Sequence, residues 1–296
     1  MYFEHRNELC ARYNEARNHF LEAPDELISL EEFITNVVNK TVCDSYDEIE
    51  HDYNEASYMQ PFWSNYPPDN RGRAPVGDQV PWIEVGEHAV GHKLSRLISY
   101  DFNIQEIGLP SGADNRFVLM APQISDITNG LTDRAFVFLD IKSVGPRDNF
   151  DHTVISPYQV SGDGVWDDPT KDMLNSPMLA TGKHVSHIFH PAISPIYALT
   201  NGWVAPTVHI FIKPVYSMLS LTTGGRKSGQ PLESIKSICV PNGLLLTKAP
   251  NYLRRYPGLF FPGKDDKTKD PRKIRVRVSF EILREIDAWR VTEYGE

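Results

Sequence analysis

The sequence predicts an α/β or α+β domain around one central sheet, and three observations carry that expectation. Helix-spaced apolar residues fill the amino-terminal region, strand-spaced ones take over beyond Tyr100, and mixed segments follow. Leu9, Tyr13, Ala16 and Phe20 lie on one face of a first helix, which Pro24 ends. A second helix is expected to begin at Ser29, whose hydroxyl would cap it while Glu32 closes a capping box; Leu30, Phe33, Ile34, Val37 and Val38 form its apolar face. Ile49, Tyr53 and Ala56 mark a third helix. Residues 61–82 hold five prolines among aromatic residues, so a long ordered loop is expected there, with Arg71 and Arg73 near its tip.

The stretch WIEVGEHAVGHKLSRLISY then reads as a helix with Ile83, Val90, Leu94 and Leu97 in one stripe. Glu87 falls on that stripe. A carboxylate on an inward face is either paired with a buried base or turned toward a polar site beneath the helix. Strand periodicity follows in IQEIG, RFVLMAP, RAFVFLDIKSVG, PTVHIFIKPVY and IRVRVSF. No GxGxxG follows a strand, which argues against a dinucleotide fold, and TTGGRKSGQ lacks phosphate-loop spacing and reads as a basic loop.

Composition narrows the function classes. The chain of 296 residues carries a formal charge of -9, which argues against a nucleic-acid coat or a binder of anionic membranes. Position matters more than the total: residues 1–60 hold fourteen acidic and four basic residues, and the remainder 25 acidic and 26 basic. The acidity belongs to the helical layer, expected to face solvent. Cys10, Cys43 and Cys239 lie far apart without a CxxC pair, so neither a disulfide framework nor a cysteine zinc site is indicated. Charges interrupt the amino terminus where a signal peptide is apolar, and no stretch has the length of a membrane span; a cytoplasmic protein with no membrane partner is expected.

The chemistry concentrates in AFVFLDIKSV, where alternation puts Phe136, Phe138, Asp140 and Lys142 on one strand face. Burying an acid and a base there is costly unless they pair or hold an ion, and a structural ion pair is the plain alternative. Asp114 precedes the strand Arg116 to Met120. If that strand forms a hairpin with the next, Asp114 approaches Asp140 and Lys142. Two carboxylates on facing strands make a hard-oxygen site suited to Mg²⁺, and a lysine beside them can orient water and offset charge on a pentavalent phosphate. Glu87 is a natural further carboxylate.

Asp114 followed by Asp140-Ile141-Lys142 resembles the PD-(D/E)XK nuclease signature, with Ala113 where the usual proline stands. More specific are DYNEA (52–56), PFWSNYPP (61–68), GDQVPWIEVGEHAVG (77–91), TNGLTD, DIKSVGPRD (140–148) and PGKDDKTK (262–269), in order along nearly the whole chain. Together they resemble the BglI family of type II restriction endonucleases. The resemblance implies a restriction-endonuclease-like core, a central mixed β-sheet flanked by helices, in a single endonuclease domain over 1–296: an acidic helical layer (1–60), the proline-rich loop (61–82), a catalytic core (83–160), and the remaining sheet with a DNA-reading segment (200–296). It implies a Mg²⁺-dependent homodimer that cuts double-stranded DNA within GCCNNNNNGGC, leaving 3′ overhangs, alongside a cognate DNA methyltransferase. Asp114, Asp140 and Lys142 match catalytic positions, with Asp114 and Asp140 as metal ligands, and Glu87 matches by its place in GEHAVG.

A G·C-rich half-site calls for arginine or lysine on guanine and a carboxylate on cytosine in the major groove. Lys264, Asp266, Arg275 and Arg277 supply that mixture and match base-reading positions of the family, as does Asp148. In IRVRVSF, Ile274, Val276 and Val278 face one way and the two arginines the other; the alternative is a surface strand with solvated arginines. HVSHIFH (184–190) reads as a solvated loop, its histidine spacing unsuited to zinc. Two rivals remain: a structure-specific repair or junction nuclease, and a catalytically inactive dimeric DNA-binding regulator. Intact Asp114, Asp140 and Lys142 speak against the regulator, and the base-reading mixture against the repair enzyme.

Overall fold

The computed structural model describes residues 2–59, 85–109, 111–143, 150–200, 202–217, 219–220, 227–229, 231–263, 270 and 273–295. Helix α1 (Tyr2–Glu22) buries Cys10, Tyr13, Ala16 and Phe20, leaving Leu9 half-covered at the margin of its stripe. Helix α2 (Pro24–Asp44) starts five residues before the expected Ser29, which is an exposed residue inside it. The reason is Pro24: at the first helical position its missing N–H costs nothing and its fixed φ is already helical, so no side-chain cap is needed. The face of α2 is as expected, with Leu30, Ile34, Val37 and Val38 buried and Phe33 half-buried. Helix α3 (Tyr46–Tyr58) buries Ile49 and Tyr53. The proline-rich loop 61–82, with Arg71 and Arg73, lies outside the described residues, as does most of TTGGRKSGQ.

The next helix departs from its predicted stripe. Glu87–His92 are wound as a π-helix and run on into α4 (Lys93–Asp101). The wider turn displaces the register, so the buried line is Val90, Leu94 and Ile98, with Leu97 only half-covered. Gly86 and Gly91 let this segment sit directly on the following sheet: a Cβ added at Gly86 would lie 2.0 Å from Ser143 Oγ, and one at Gly91 2.8 Å from Ile141 Cγ1.

Strands β1 (Asn103–Glu106) and β2 (Asn115–Met120) pair antiparallel; after the short helix α5 (Pro122–Ile127) comes β3 (Arg134–Ile141). The expected hairpin is present, with β2 antiparallel to β3 in the register Asn115↔Leu139. A side excursion follows: β4 (His152–Ile155), a 3₁₀ turn at Pro157–Gln159, and the antiparallel pair β5 (Met178–Thr181) and β6 (Ser186–Phe189). The chain returns through β7 (Ile196–Ala198) to β8 (Val204–Tyr216), parallel to β3. All thirteen residues of β8 are buried, as expected of a strand covered on both faces. Beyond it lie the short pair β9 (Leu219–Ser220) and β10 (Lys227–Gly229), then β11 (Leu232–Val240), α6 (Gly243–Thr247), α7 (Tyr252–Arg255), β12 (Phe260–Pro262), β13 (Val276–Ser279), α8 (Phe280–Ile286) and β14 (Val291–Gly295).

The central sheet is mixed, in the order β1-β2-β3-β8-β11-β14 with β7 on β8. One face, carrying Val137, Leu139, Ile141, Val208, Ile210 and Ile212, shares its core with Leu30, Ile34 and Val38 of α2. IRVRVSF does not extend this sheet, contrary to the expectation of a single one. It forms β13, between β12 and β4 in a separate three-stranded sheet. That small sheet and α8 cover the opposite face of β8, where buried Lys213 donates to the His152 carbonyl at 2.7 Å and lies 5.1 Å from the Phe280 ring. No helix among the described residues is long and apolar enough to cross a membrane. Cys10 and Cys239 are buried, Cys43 is exposed, and all three are free thiols.

Beneath the helical layer Glu31 and Arg290 are fully buried as an ion pair, Arg290 Nη1 donating to Glu31 Oε2 at 2.9 Å. Asn242 N–H donates to the other oxygen at 2.6 Å, and Asp287 meets Arg290 Nε at 3.0 Å, so the pair locks α2 to the chain's last strand region. Removing one partner strands the other charge without water. Glu31→Ala is expected to lower stability by about 3–5 kcal/mol in equilibrium urea unfolding; a loss below about 1 kcal/mol would show that Arg290 finds solvent or another partner.

Candidate active site

The β2–β3 hairpin brings the predicted acids together. Asp114 precedes β2, reached by solvent, and its Oδ2 accepts the backbone N–H of Ile141 at 2.6 Å. Asp140, the penultimate residue of β3, is 2% exposed. Lys142 follows on the same face, as alternation requires, with Nζ 2.6 Å from Asp140 Oδ2. Asp140 Oδ1 accepts a hydrogen bond from Gln159 Nε2 at 2.7 Å. The apolar part of this face is closed by Phe136 and Phe138 against Ala113, Val118, Ile193 and Ala205.

Electrostatically the site is short of positive charge. Desolvation raises the Asp140 carboxyl to about 6; Asp114 adds to the rise, while Lys142 and Gln159 oppose it without cancelling it. Asp114 is raised too, by desolvation first, against the Ile141 N–H, Lys142, His92 and Arg116. Two crowded hard-oxygen donors that one lysine does not neutralise are a fit for a small divalent cation, which keeps its remaining ligands as water. Asp114 and Asp140 are the donors that would hold it. Among the described residues no group of three His, Cys, Asp or Glu side chains forms a closed metal cage.

Glu87 lies on the first turn of the π-helix, half-buried, next to Gly86 and therefore near the end of β3 where Ser143 lies. This carries it to the carboxyl end of β3, a position compatible with the polar site expected beneath the helix. His92, on the same segment, lies close enough to favour ionised Asp114. Sequence reasoning passed over His92 and Gln159. Ser156-Pro157-Tyr158-Gln159 does carry a capping-box signature, which signals a turn. Nothing in the sequence places that turn against Asp140, because the contact spans two sheets.

Of the base-reading set, Arg275 is exposed just ahead of β13, and Arg277 on β13 is half-buried, its Nη1 3.4 Å from the Pro262 carbonyl. Val276 and Val278 point into the core, so the expected dry and basic sides of the strand are present. Lys264, Asp266 and Asp148 lie outside the described residues. The histidine run is not a loop: His187 belongs to β6, whose Phe189 is buried against the Phe260 ring, and His184 is exposed ahead of the strand. Phe189 is the buried anchor of β6, a signal that the histidines around it obscured in the sequence.

A mixed sheet whose β2–β3 hairpin presents Asp114, Asp140 and Lys142 together fits a type II restriction endonuclease of the PD-(D/E)XK superfamily. The family model for restriction endonuclease BglI matches residues 8–294, and the chain belongs to that family. The type II restriction enzyme BglI of Bacillus subtilis is 47% identical over 290 residues, covering 97% of this chain and 96% of that enzyme. The crystal structure of BglI bound to its DNA recognition sequence matches with a TM-score of 0.91 at 46% identity, over 100% of this chain and 99% of that one. The tetrameric endonuclease SfiI bound to cognate DNA shares the fold at a TM-score of 0.59 and 16% identity, over 92% of this chain and 85% of its own. Membership implies a divalent metal cofactor, in keeping with the donor set.

A stability consequence follows from the raised Asp140 carboxyl. Its ordinary value is 3.8 and its folded value about 6, so the folded state holds this proton more tightly than the unfolded chain. Its contribution therefore favours folding below about pH 4 and is lost as pH rises through 6. In metal-free buffer Asp140→Asn is expected to be more stable than the parent at pH 8, by about 3 kcal/mol, with the gain vanishing toward pH 4. Urea unfolding at the two pH values measures it; equal gains at both would assign the effect to packing instead.

Proposed function

We propose that the chain acts as a Mg²⁺-dependent homodimer, a single endonuclease domain per subunit, that reads GCCNNNNNGGC in double-stranded DNA and cuts both strands within the spacer, leaving 3′ overhangs. The Asp114–Asp140–Lys142 grouping carries this reading. Asp114 and Asp140 would hold the ion by their carboxylate oxygens, and when bound it would supply Lewis-acid polarisation of the scissile phosphate. Lys142, partly exposed beside Asp140, is placed to donate to an attacking water and to offset charge developing on the phosphate. Glu87 adds a carboxylate from the helix side.

Base reading falls to Lys264, Asp266, Arg275, Arg277 and Asp148, a donor and acceptor mixture suited to G·C pairs in the major groove. A two-fold dimer presents this set twice, matching the two half-sites. Such an enzyme works in the cytoplasm beside a cognate DNA methyltransferase that shields the host's own sites.

Plasmid incubated with and without Mg²⁺, with the ends mapped, tests the activity. Discrete ends within GCCNNNNNGGC are expected; binding without cutting would indicate a regulator, and nicking confined to branched DNA a repair nuclease. Asp140→Asn should bind cognate DNA and fail to cut it, and retained cleavage overturns the metal assignment. Arg277→Ala should lose cognate cleavage while remaining folded, at a cost of about 1–3 kcal/mol in discrimination; parent-like cutting removes Arg277 from the reading set.

A further inference from the structure

Gln159 is 9% exposed, and every hydrogen-bonding group of its amide is engaged. Nε2 donates to Asp140 Oδ1 at 2.7 Å and to the Gly112 carbonyl at 3.1 Å, while Oε1 accepts the Ser156 N–H at 2.9 Å. Because Oε1 is committed to a backbone donor, the amide has one orientation, with its NH₂ toward the carboxylate. One side chain thus touches the acid on β3 and the loop two residues ahead of Asp114.

The turn that carries it is held at both ends. Ser156 and Gln159 close a capping box around Pro157, and the Gly112 N–H donates to the Tyr158 carbonyl at 2.8 Å. Ser156 follows directly on β4, which is paired with β13 through Ile155↔Val276 and Val154↔Arg277. The amide is therefore anchored to the small sheet through β4 as well as to the Gly112 loop that leads into the hairpin. A donor fixed from outside holds the Asp140 carboxylate plane steady, and being neutral it does so without taking the place of a cation.

From this we infer that Gln159 is a positioning residue, fixing the Asp140 carboxylate in the orientation that holds the divalent ion. The role rests on the metal-site assignment proposed above. Groups that orient a metal ligand typically contribute ten- to a hundredfold in metal affinity. Gln159→Met keeps the side-chain volume and removes both donors, together with the acceptor of the Ser156 N–H.

The test measures Ca²⁺ binding to the full-length protein with uncleaved cognate duplex by titration calorimetry, alongside single-turnover cleavage across a Mg²⁺ series. Gln159→Met is expected to weaken Ca²⁺ binding about ten- to a hundredfold and to raise the Mg²⁺ needed for half-maximal cleavage correspondingly. Metal-free DNA binding should stay at the parent value, which a merely structural role would move, while the urea midpoint falls only by the loss of the buried hydrogen bonds, leaving the protein folded under the assay conditions. A folded Gln159→Met protein with Ca²⁺ affinity within twofold of the parent overturns the inference. Asp140→Asn serves as the control: if it loses Ca²⁺ binding while Gln159→Met keeps it, only the role of Gln159 fails. If Asp140→Asn keeps it, the metal-site assignment fails with it.

Discussion

Asp140 is an acid placed where water hardly reaches it, and the rest of the site depends on making that position tolerable. Left alone, a carboxylate in this setting would take up a proton. Two groups oppose that outcome and a third presses it, each from a different direction. The next strand-face residue, Lys142, brings a cation; the turn after β4 brings the Gln159 amide; and the hairpin partner brings Asp114, which worsens the repulsion and so leaves the pair in need of an ion. Each comes from a separate part of the chain. The fold is the device that makes them meet, with β3 as its axis: parallel to β8, antiparallel to β2, and crossed by the π-helix on the far side.

Local pattern made much of this legible. The alternation in AFVFLDIKSV and the alternation in RFVLMAP together specify the hairpin, because a one-residue slip would turn Asp140 and Lys142 into the apolar helical layer. Helix faces were equally plain where 3.6-residue periodicity held. It failed at the π-turn, where an extra residue per turn moves every later side chain, and at Ser29, where a good capping signature competed with a proline that had already started the helix. Contacts between distant segments left no local trace. Glu31 with Arg290, Gln159 with Asp140 and the pairing of β4 with β13 each need the tertiary structure to exist first.

The charge of -9 resolves along the same lines. Acidic side chains of α1 to α3 lie on outward positions such as Glu15, Asp25, Asp47 and Glu55, on the layer that backs the central sheet, while the arginines of the 275–277 segment belong to the small sheet on its other side. A surface with little general attraction for phosphate leaves a larger share of affinity to contacts that depend on sequence.

The small sheet draws its strands from the middle and the end of the chain: β4 must wait for β13 before either has a partner on that side. Pairings between remote segments close late, since the loop they enclose has to be ordered first. The β2–β3 hairpin is therefore complete in sequence well before the edge of β4 that carries the Gln159 turn is covered by β13, so the surroundings of the buried acid are finished by the last stretch of polypeptide.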